Sequence, residues 1–463
     1  MLLLIYLLFG VFSIGILSLE YLIDTSSSYF LVSAFIILLA LFVFTAWFAK
    51  TKSLFDIFSL FFLSAFLFNA AHAIPHLFML DITDTWIYRY YNDSFATVAF
   101  VIVFISLYFV GLGGLLAASK KQQSSSPSLS PVFNLDSYRK VGWLLFVLSV
   151  VPIIVTTLKS LSIAYSQGYF ALYQQEQLSP IMSLMVAVSK LFLPAILCLL
   201  IAYKEKPFYI RNILVSMLFY CGILFFIGYR GQATLTLLSI AWAYNAWIKP
   251  IPKLVLLSSA GVLGGIIFPL VALVRMTPGE SRSNTGDFFT SFFSVNNPAI
   301  EILKEMGGSV VAIAGTYELI PSTQGFAYGA SYVKAFLLGI LPARLVGGEV
   351  LGDWLTWQLE PKFAADGGGL GFSFVAESYY NFGWVGIIFM SLITGLCLGH
   401  LALLGLRQKT PHVVFSLALL LTSIPYFARA ETSQIFPALI RYLAFPMLLI
   451  WLSGKLTRAA RTE

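Results

Sequence analysis

Residues 372–405 read FSFVAESYYNFGWVGIIFMSLITGLCLGHLALLG. Glu377 stands near the start of this stretch, and no further Asp, Glu, Lys or Arg follows until Arg407. Such a run is at home in hydrocarbon, because about 20 apolar residues in an α-helix cross a bilayer core of about 30 Å. A helix also satisfies its backbone N–H and C=O groups within itself. Comparable runs recur along the chain, and spans are expected near 2–19, 28–49, 54–72, 95–118, 141–158, 180–203, 208–228, 231–248, 253–275, 372–405, 411–428 and 434–453. Composition agrees: of 463 residues, 59% are hydrophobic and 11% charged, against roughly 25% charged in soluble domains. The expected fold is all-α, a polytopic integral membrane protein of about twelve transmembrane helices, with 1–463 as a single transmembrane domain.

The first run has no Lys or Arg before it and no small-residue cleavage site, so a retained first span is expected rather than a signal peptide. Cys198, Cys221 and Cys397 sit inside apolar runs, where a free thiol behaves as a small hydrophobe, and no disulfide framework follows. The net charge of +7 does not point to nucleic acid, because the basic residues fall in short clusters between spans. Lys50/Lys52, Lys120/Lys121/Arg139/Lys140, Lys204/Lys206/Arg211, Lys249/Lys253, Arg407/Lys409 and Lys455/Arg458/Arg461 alternate with acidic or mixed loops. By the positive-inside rule this alternation places both termini in the cytoplasm. The long connection from 276 to 371 then lies outside as a partly helical periplasmic cap, since a structureless loop of that length is uncommon. Its apolar stretch Phe336 to Leu341 is too short to span and is expected on or in the membrane surface.

Twelve basic residues remain on the outer side, and seven are arginines: Arg89, Arg230, Arg275, Arg282, Arg344, Arg429 and Arg441. Lysine alone would satisfy topology; arginine adds a planar fork of donors that grips phosphate bidentately. Arg230, Arg275, Arg429 and Arg441 stand at or just inside the ends of separate spans. At that depth a cation is costly unless it meets an anion or a wet cavity. The alternative is that these arginines reach headgroups or pair with Glu280, Glu377 and Glu431. Glu377 itself is a candidate general base or the structural partner of an arginine. Gly395/Gly399 and Gly261/Gly265 have the small-xxx-small spacing of close helix packing. No P-loop, dinucleotide fingerprint, HExxH or paired-Asp metal motif is present, so neither a metal nor a cofactor is expected.

Several stretches together resemble the Wzy-type oligosaccharide repeat-unit polymerases, the family of O-antigen and enterobacterial common antigen polymerases. They are Gly228-Tyr229-Arg230-Gly231, Gly168-Tyr169-Phe170, Leu341-Pro342-Ala343-Arg344, Glu377 to Gly383, and Ala428-Arg429-Ala430-Glu431 with Arg441. The resemblance covers roughly 140–455. It implies a GT-C-like glycosyltransferase of the bacterial inner membrane whose active site faces the periplasm and serves lipopolysaccharide or related polysaccharide biosynthesis. The implied reaction moves a glycan from undecaprenyl pyrophosphate to the non-reducing end of a new lipid-linked repeat, with inversion and without metal. The implied partners are undecaprenyl-pyrophosphate-linked oligosaccharides, membrane lipid and a chain-length regulator. Arg230, Arg275, Arg429 and Arg441 then stabilise the leaving diphosphate, with Arg282 and Arg344 closing over it and Glu377 as base. Tyr169, Tyr173 and Tyr380 are candidates for sugar stacking.

Two other functions fit the layout. An O-antigen ligase is similar but typically carries a histidine in its large outer loop, and 276–371 has none. A flippase or transporter of lipid-linked oligosaccharide would use a cationic cavity but seldom needs a folded outer cap.

Overall fold

A computed structural model describes residues 1–23, 28–119, 134–173, 179–271 and 298–462, with the side chains of 19–23, 28, 298–299, 343–344 and 458–462 left aside. Its regular structure is helical throughout, with no strand among the described residues. Eight helices are long and apolar enough to cross a membrane, consistent with a polytopic membrane protein: Tyr29–Thr51, Asp93–Ser119, Leu135–Ser166, Pro180–Ala202, Pro207–Ile227, Lys253–Val271, Phe374–Arg407 and Thr432–Thr457. The segments expected at 2–19, 54–72 and 411–428 give shorter apolar helices, Leu2–Ser18, Ile57–Ala70 and Pro411–Phe427. The segment 231–248 gives Arg230–Trp247, whose hydropathy Arg230, Gln232 and Asn245 reduce.

Local chemistry sets the helix ends. Asp56, Asn134 and Ser179 cap their helices by accepting the backbone N–H of Ser59, Ser137 and Met182, which satisfies donors that have no partner in a first turn. Pro180, Pro207 and Pro411 occupy first-turn positions, where the missing N–H costs nothing. Gly228 closes Pro207–Ile227 at φ 107°, a left-handed value suited to glycine.

The chain forms two compact units: 1–125, 303–407 and 424–437 make the first, and 126–302, 408–423 and 438–463 the second. In the first, Phe374–Arg407 lies against Asp93–Ser119 so closely that three glycines in the seam have no room for a side chain. A Cβ on Gly395 would come within 2.1 Å of the Val110 carbonyl oxygen, one on Gly113 within 2.4 Å of Leu392 O, and one on Gly399 within 2.8 Å of the Ala117 Cβ. Ser106 and Ser391 exchange a hydroxyl hydrogen bond of 2.7 Å across the same seam. The pair Gly261/Gly265 differs: neither has any heavy atom within 4 Å of an added Cβ, so it makes no seam among the described residues.

The described part of the long connection is a series of short helices, Pro298–Met306, Val310–Leu319, Ala330–Ile340, Ala343–Val346, Leu351–Leu359 and Pro361–Ala365. Val310–Leu319 is buried along most of its length. Ala330–Ile340 instead exposes Val333, Phe336, Leu337 and Ile340. That spacing puts them on one face, the arrangement of a helix lying in a membrane interface.

Candidate functional site

In the first unit the expected residues gather where Phe374–Arg407 begins. Gly383, at φ 60° and ψ −144°, breaks the helical path and sets off the stretch Phe374–Phe382 that carries Glu377, Tyr380 and Asn381. Glu377 is fully buried. Its Oε1 accepts the Ser331 hydroxyl at 2.7 Å, and its Oε2 accepts both the N–H and the hydroxyl of Thr432 at 2.7 Å. Asn381 Nδ2 donates to Ser331 Oγ at 2.7 Å and to the Glu377 carbonyl at 2.8 Å. Its Oδ1 accepts the Gly329 N–H at 2.9 Å. Three distant pieces of chain, 327–331, 377–381 and 432, are thereby tied to one carboxylate.

The partners of Glu377 are thus hydroxyls and a backbone N–H, and Glu431 is occupied in the same way. Glu431 is 1% exposed; its Oε2 accepts the Leu351 N–H at 2.7 Å, and Ser433 donates to its Oε1. Neither carboxylate forms an ion pair with an arginine among the described residues. Burial pushes the Glu431 carboxyl up, partly offset by the Ser433 and Leu351 donors. A raised carboxyl is bound to its proton more readily when folded, so its contribution to stability is full at acidic pH and declines as pH rises through the folded value. Glu431→Gln should therefore reduce the loss of thermal stability between pH 5 and pH 8, read as the difference in Tm in detergent.

Arg429 sits in the turn before Thr432. Its guanidinium lies 5.1 Å from the centre of the Phe68 ring, a cation–π distance, and it forms no ion pair among the described residues. Asn69 Nδ2 pins the adjacent Ala428 carbonyl at 2.9 Å. Tyr380 packs edge-on against Trp354 at 5.4 Å and accepts a hydrogen bond of 3.0 Å from Gln324 Nε2. Two other cations expected on the outer side are paired with acids: Arg89 with Glu360 at 3.1 Å and Lys304 with Asp84 at 2.9 Å.

The second unit holds Arg230, Arg441, Tyr169 and Tyr173. Tyr169 and Tyr173 share a hydroxyl hydrogen bond of 2.8 Å, and the Tyr169 ring stands 6.4 Å from that of Tyr229, the residue before Arg230. The Arg230 guanidinium is 5.9 Å from the Phe268 ring. Arg441 lies in a π-helical turn, Ile440–Ala444, within Coulombic range of Lys190. Arg275 and Arg282 lie outside the described residues, as does the side chain of Arg344, whose backbone is in the helix Ala343–Val346.

Sequence reasoning missed Ser331 and Thr432, which no motif marks. Among the described residues no cluster of three or more His, Cys, Asp and Glu side chains is positioned to hold a metal ion.

The family described as O-antigen polysaccharide polymerase Wzy matches residues 1–458. No curated protein and no solved structure matches the chain.

Proposed function

The chain belongs to the O-antigen polysaccharide polymerase Wzy family, a family acting on lipid-linked oligosaccharide repeat units, and from that premise we propose an inverting, metal-independent polymerase of undecaprenyl-pyrophosphate-linked repeats. It works in the bacterial inner membrane through about twelve spans, with both termini cytoplasmic, 276–371 as a periplasmic cap and the reaction on the periplasmic side. The acceptor hydroxyl attacks the anomeric carbon of the donor glycan; the new C–O bond forms as the bond to diphosphate breaks, and the diphosphate departs with the bonding pair and takes up the proton that the acceptor hydroxyl loses. A diphosphate is a weak base, so its departure needs charge stabilisation more than a proton donor. Guanidinium groups at Arg230, Arg275, Arg429 and Arg441 supply it, with Arg282 and Arg344 from the cap.

The observation that carries this reading is Arg429, a half-buried guanidinium oriented on Phe68 with no acid partner among the described residues. Trp354 and Tyr380 offer an aromatic wall for a sugar ring in the same unit. Glu377 holds that unit's site together. As base it would work through the hydroxyls it grips, since both its oxygens are occupied. Glu377→Gln keeps an acceptor for the Thr432 N–H, and should fold and retain most activity if positioning is its task. Glu377→Ala leaves that buried N–H unpaired, at a cost of about 1–3 kcal/mol, and should lose folded protein. A folded but inactive Gln variant would restore the base.

The test is reconstitution. In liposomes with the cognate undecaprenyl-pyrophosphate repeat unit and no added metal, the protein should produce a ladder of lipid-linked glycans, each new linkage of inverted anomeric configuration by NMR. Transfer only when lipid A core is supplied would make it a ligase. Movement of the repeat unit between leaflets without new linkages would make it a transporter.

A further inference from the structure

One polar side chain in the first unit joins the segments that carry Arg429 and Glu377. Asn69 stands near the end of the apolar helix Ile57–Ala70 and is 1% exposed. Its Nδ2 donates to Ala65 O at 3.0 Å, inside its own helix, and to Ala428 O at 2.9 Å, beside Arg429. Its Oδ1 accepts the Ser373 hydroxyl at 2.7 Å. Ser373 precedes Phe374–Arg407, and its Oγ accepts the Val375 N–H at 3.2 Å. Both amide hydrogens and the carbonyl oxygen of Asn69 are thus engaged, and two of the three partners lie 304 and 359 positions away along the chain.

Apolar packing accompanies this amide. Phe61, Phe374 and Phe427, one from each of the joined segments, form a triad with ring centres 5.4 Å, 5.7 Å and 6.2 Å apart. Apolar attraction is non-directional, so the triad alone leaves the turn before Thr432 free to slide against the helix. A hydrogen bond weakens steeply as its angle departs from linear, so the one on Ala428 O fixes that register. Phe68, the residue before Asn69, places its ring 5.1 Å from the Arg429 guanidinium. Two consecutive residues of one helix therefore meet the backbone beside Arg429 and the side chain of Arg429 itself.

We infer that Asn69, with Phe68, is a positioning residue for Arg429: it holds the guanidinium at one place relative to the start of the Glu377 helix while the diphosphate leaves. The inference rests on the polymerase reading, in which Arg429 stabilises that charge. A fully satisfied buried network rigidifies what it joins, and here it joins the two segments of the candidate site. A preorganised donor acts only where the charge develops, and a misplacement of about 1 Å can lower the rate about 10²-fold. Asn69 touches no reacting atom, so its loss is expected in kcat rather than in KM.

The deciding measurement is the rate of linkage formation per mole of folded protein, in liposomes over a range of the undecaprenyl-pyrophosphate repeat unit. Asn69→Asp should lower kcat at least tenfold at pH 8 while KM stays within about twofold, since a carboxylate still accepts from Ser373 but donates to neither carbonyl. As pH falls toward 5.5 its kcat relative to wild type should rise, because a carboxylic acid regains one donor. Phe68→Leu should lower kcat about fivefold, and Phe68→Tyr, which keeps a ring face for the cation, should stay within about twofold of wild type. Trp47→Phe removes a buried hydrogen bond of 3.0 Å to Asp56, the cap at the other end of the same helix. It should lower Tm and leave kcat unchanged, which separates positioning from helix stability. If Asn69→Asp does not fold, the Phe68 pair decides, and equal kcat in the two overturns the inference. Wild-type kcat in folded Asn69→Asp at pH 8, or a deficit that does not change with pH, overturns it while leaving the polymerase reading intact. No linkages from wild type would sink that reading, and this inference with it.

Discussion

Arg429→Lys should abolish polymerisation while leaving the amount of folded protein unchanged. The fold is indifferent to the exchange because what fixes this turn is backbone: Ala428 O is held by Asn69, and the Arg429 N–H donates to Tyr426 O at 2.9 Å. The chemistry is not indifferent. The guanidinium lies 5.1 Å from the centre of the Phe68 ring, and a planar fork can donate two parallel hydrogen bonds to a departing diphosphate. An ammonium offers a point charge on a flexible stem. Losing one preorganised donor to a developing negative charge typically lowers kcat by about 10²–10³, which on a gel reads as disappearance of the ladder. Normal ladders from the lysine variant would remove Arg429 from the site. Arg89→Lys serves as the contrast, because Arg89 is committed to Glu360, and it should leave the ladder unchanged.

Gly395→Val should prevent accumulation of folded protein. A side chain at 395 meets the Val110 carbonyl oxygen at 2.1 Å, which is backbone and cannot rotate away. Phe374–Arg407 and Asp93–Ser119 would have to part, breaking the Ser106–Ser391 hydrogen bond and loosening the stretch that carries Glu377. Overpacking of this kind costs 1–3 kcal/mol where side chains can shift and more where backbone blocks the way. Gly261→Val is the matched control, since nothing among the described residues lies within 4 Å of its added Cβ. Fluorescence-detected size exclusion in detergent should show a monodisperse peak for Gly261→Val and loss of it for Gly395→Val. Equal peaks would contradict the close crossing.

These two glycine pairs show what the amino-acid sequence conveyed and what it withheld. Apolar run length located the helices, because the bilayer imposes a length on every span, and each of the twelve expected segments contains a helix among the described residues, although turns interrupt 180–203 at 190–191 and 411–428 at 421–423. Spacing alone, however, could not tell a glycine pair in a seam from one facing open space; that depends on which helix arrives opposite. The candidate site follows the same division. Arg429 and Glu377 stood out because charge at membrane depth is expensive. Their partners did not, since Ser331 precedes Glu377 by 46 positions and Thr432 follows it by 55, and neither belongs to a pattern.

The most direct measurement of the central claim is the release of undecaprenyl diphosphate by the protein in liposomes given its lipid-linked repeat unit. Polymerisation by departure of the lipid diphosphate predicts one undecaprenyl diphosphate freed per glycosidic linkage formed, with both falling together in Arg429→Lys. Release without new linkages would describe a hydrolase. An intact lipid-linked substrate, with binding to the protein demonstrated, would contradict the account.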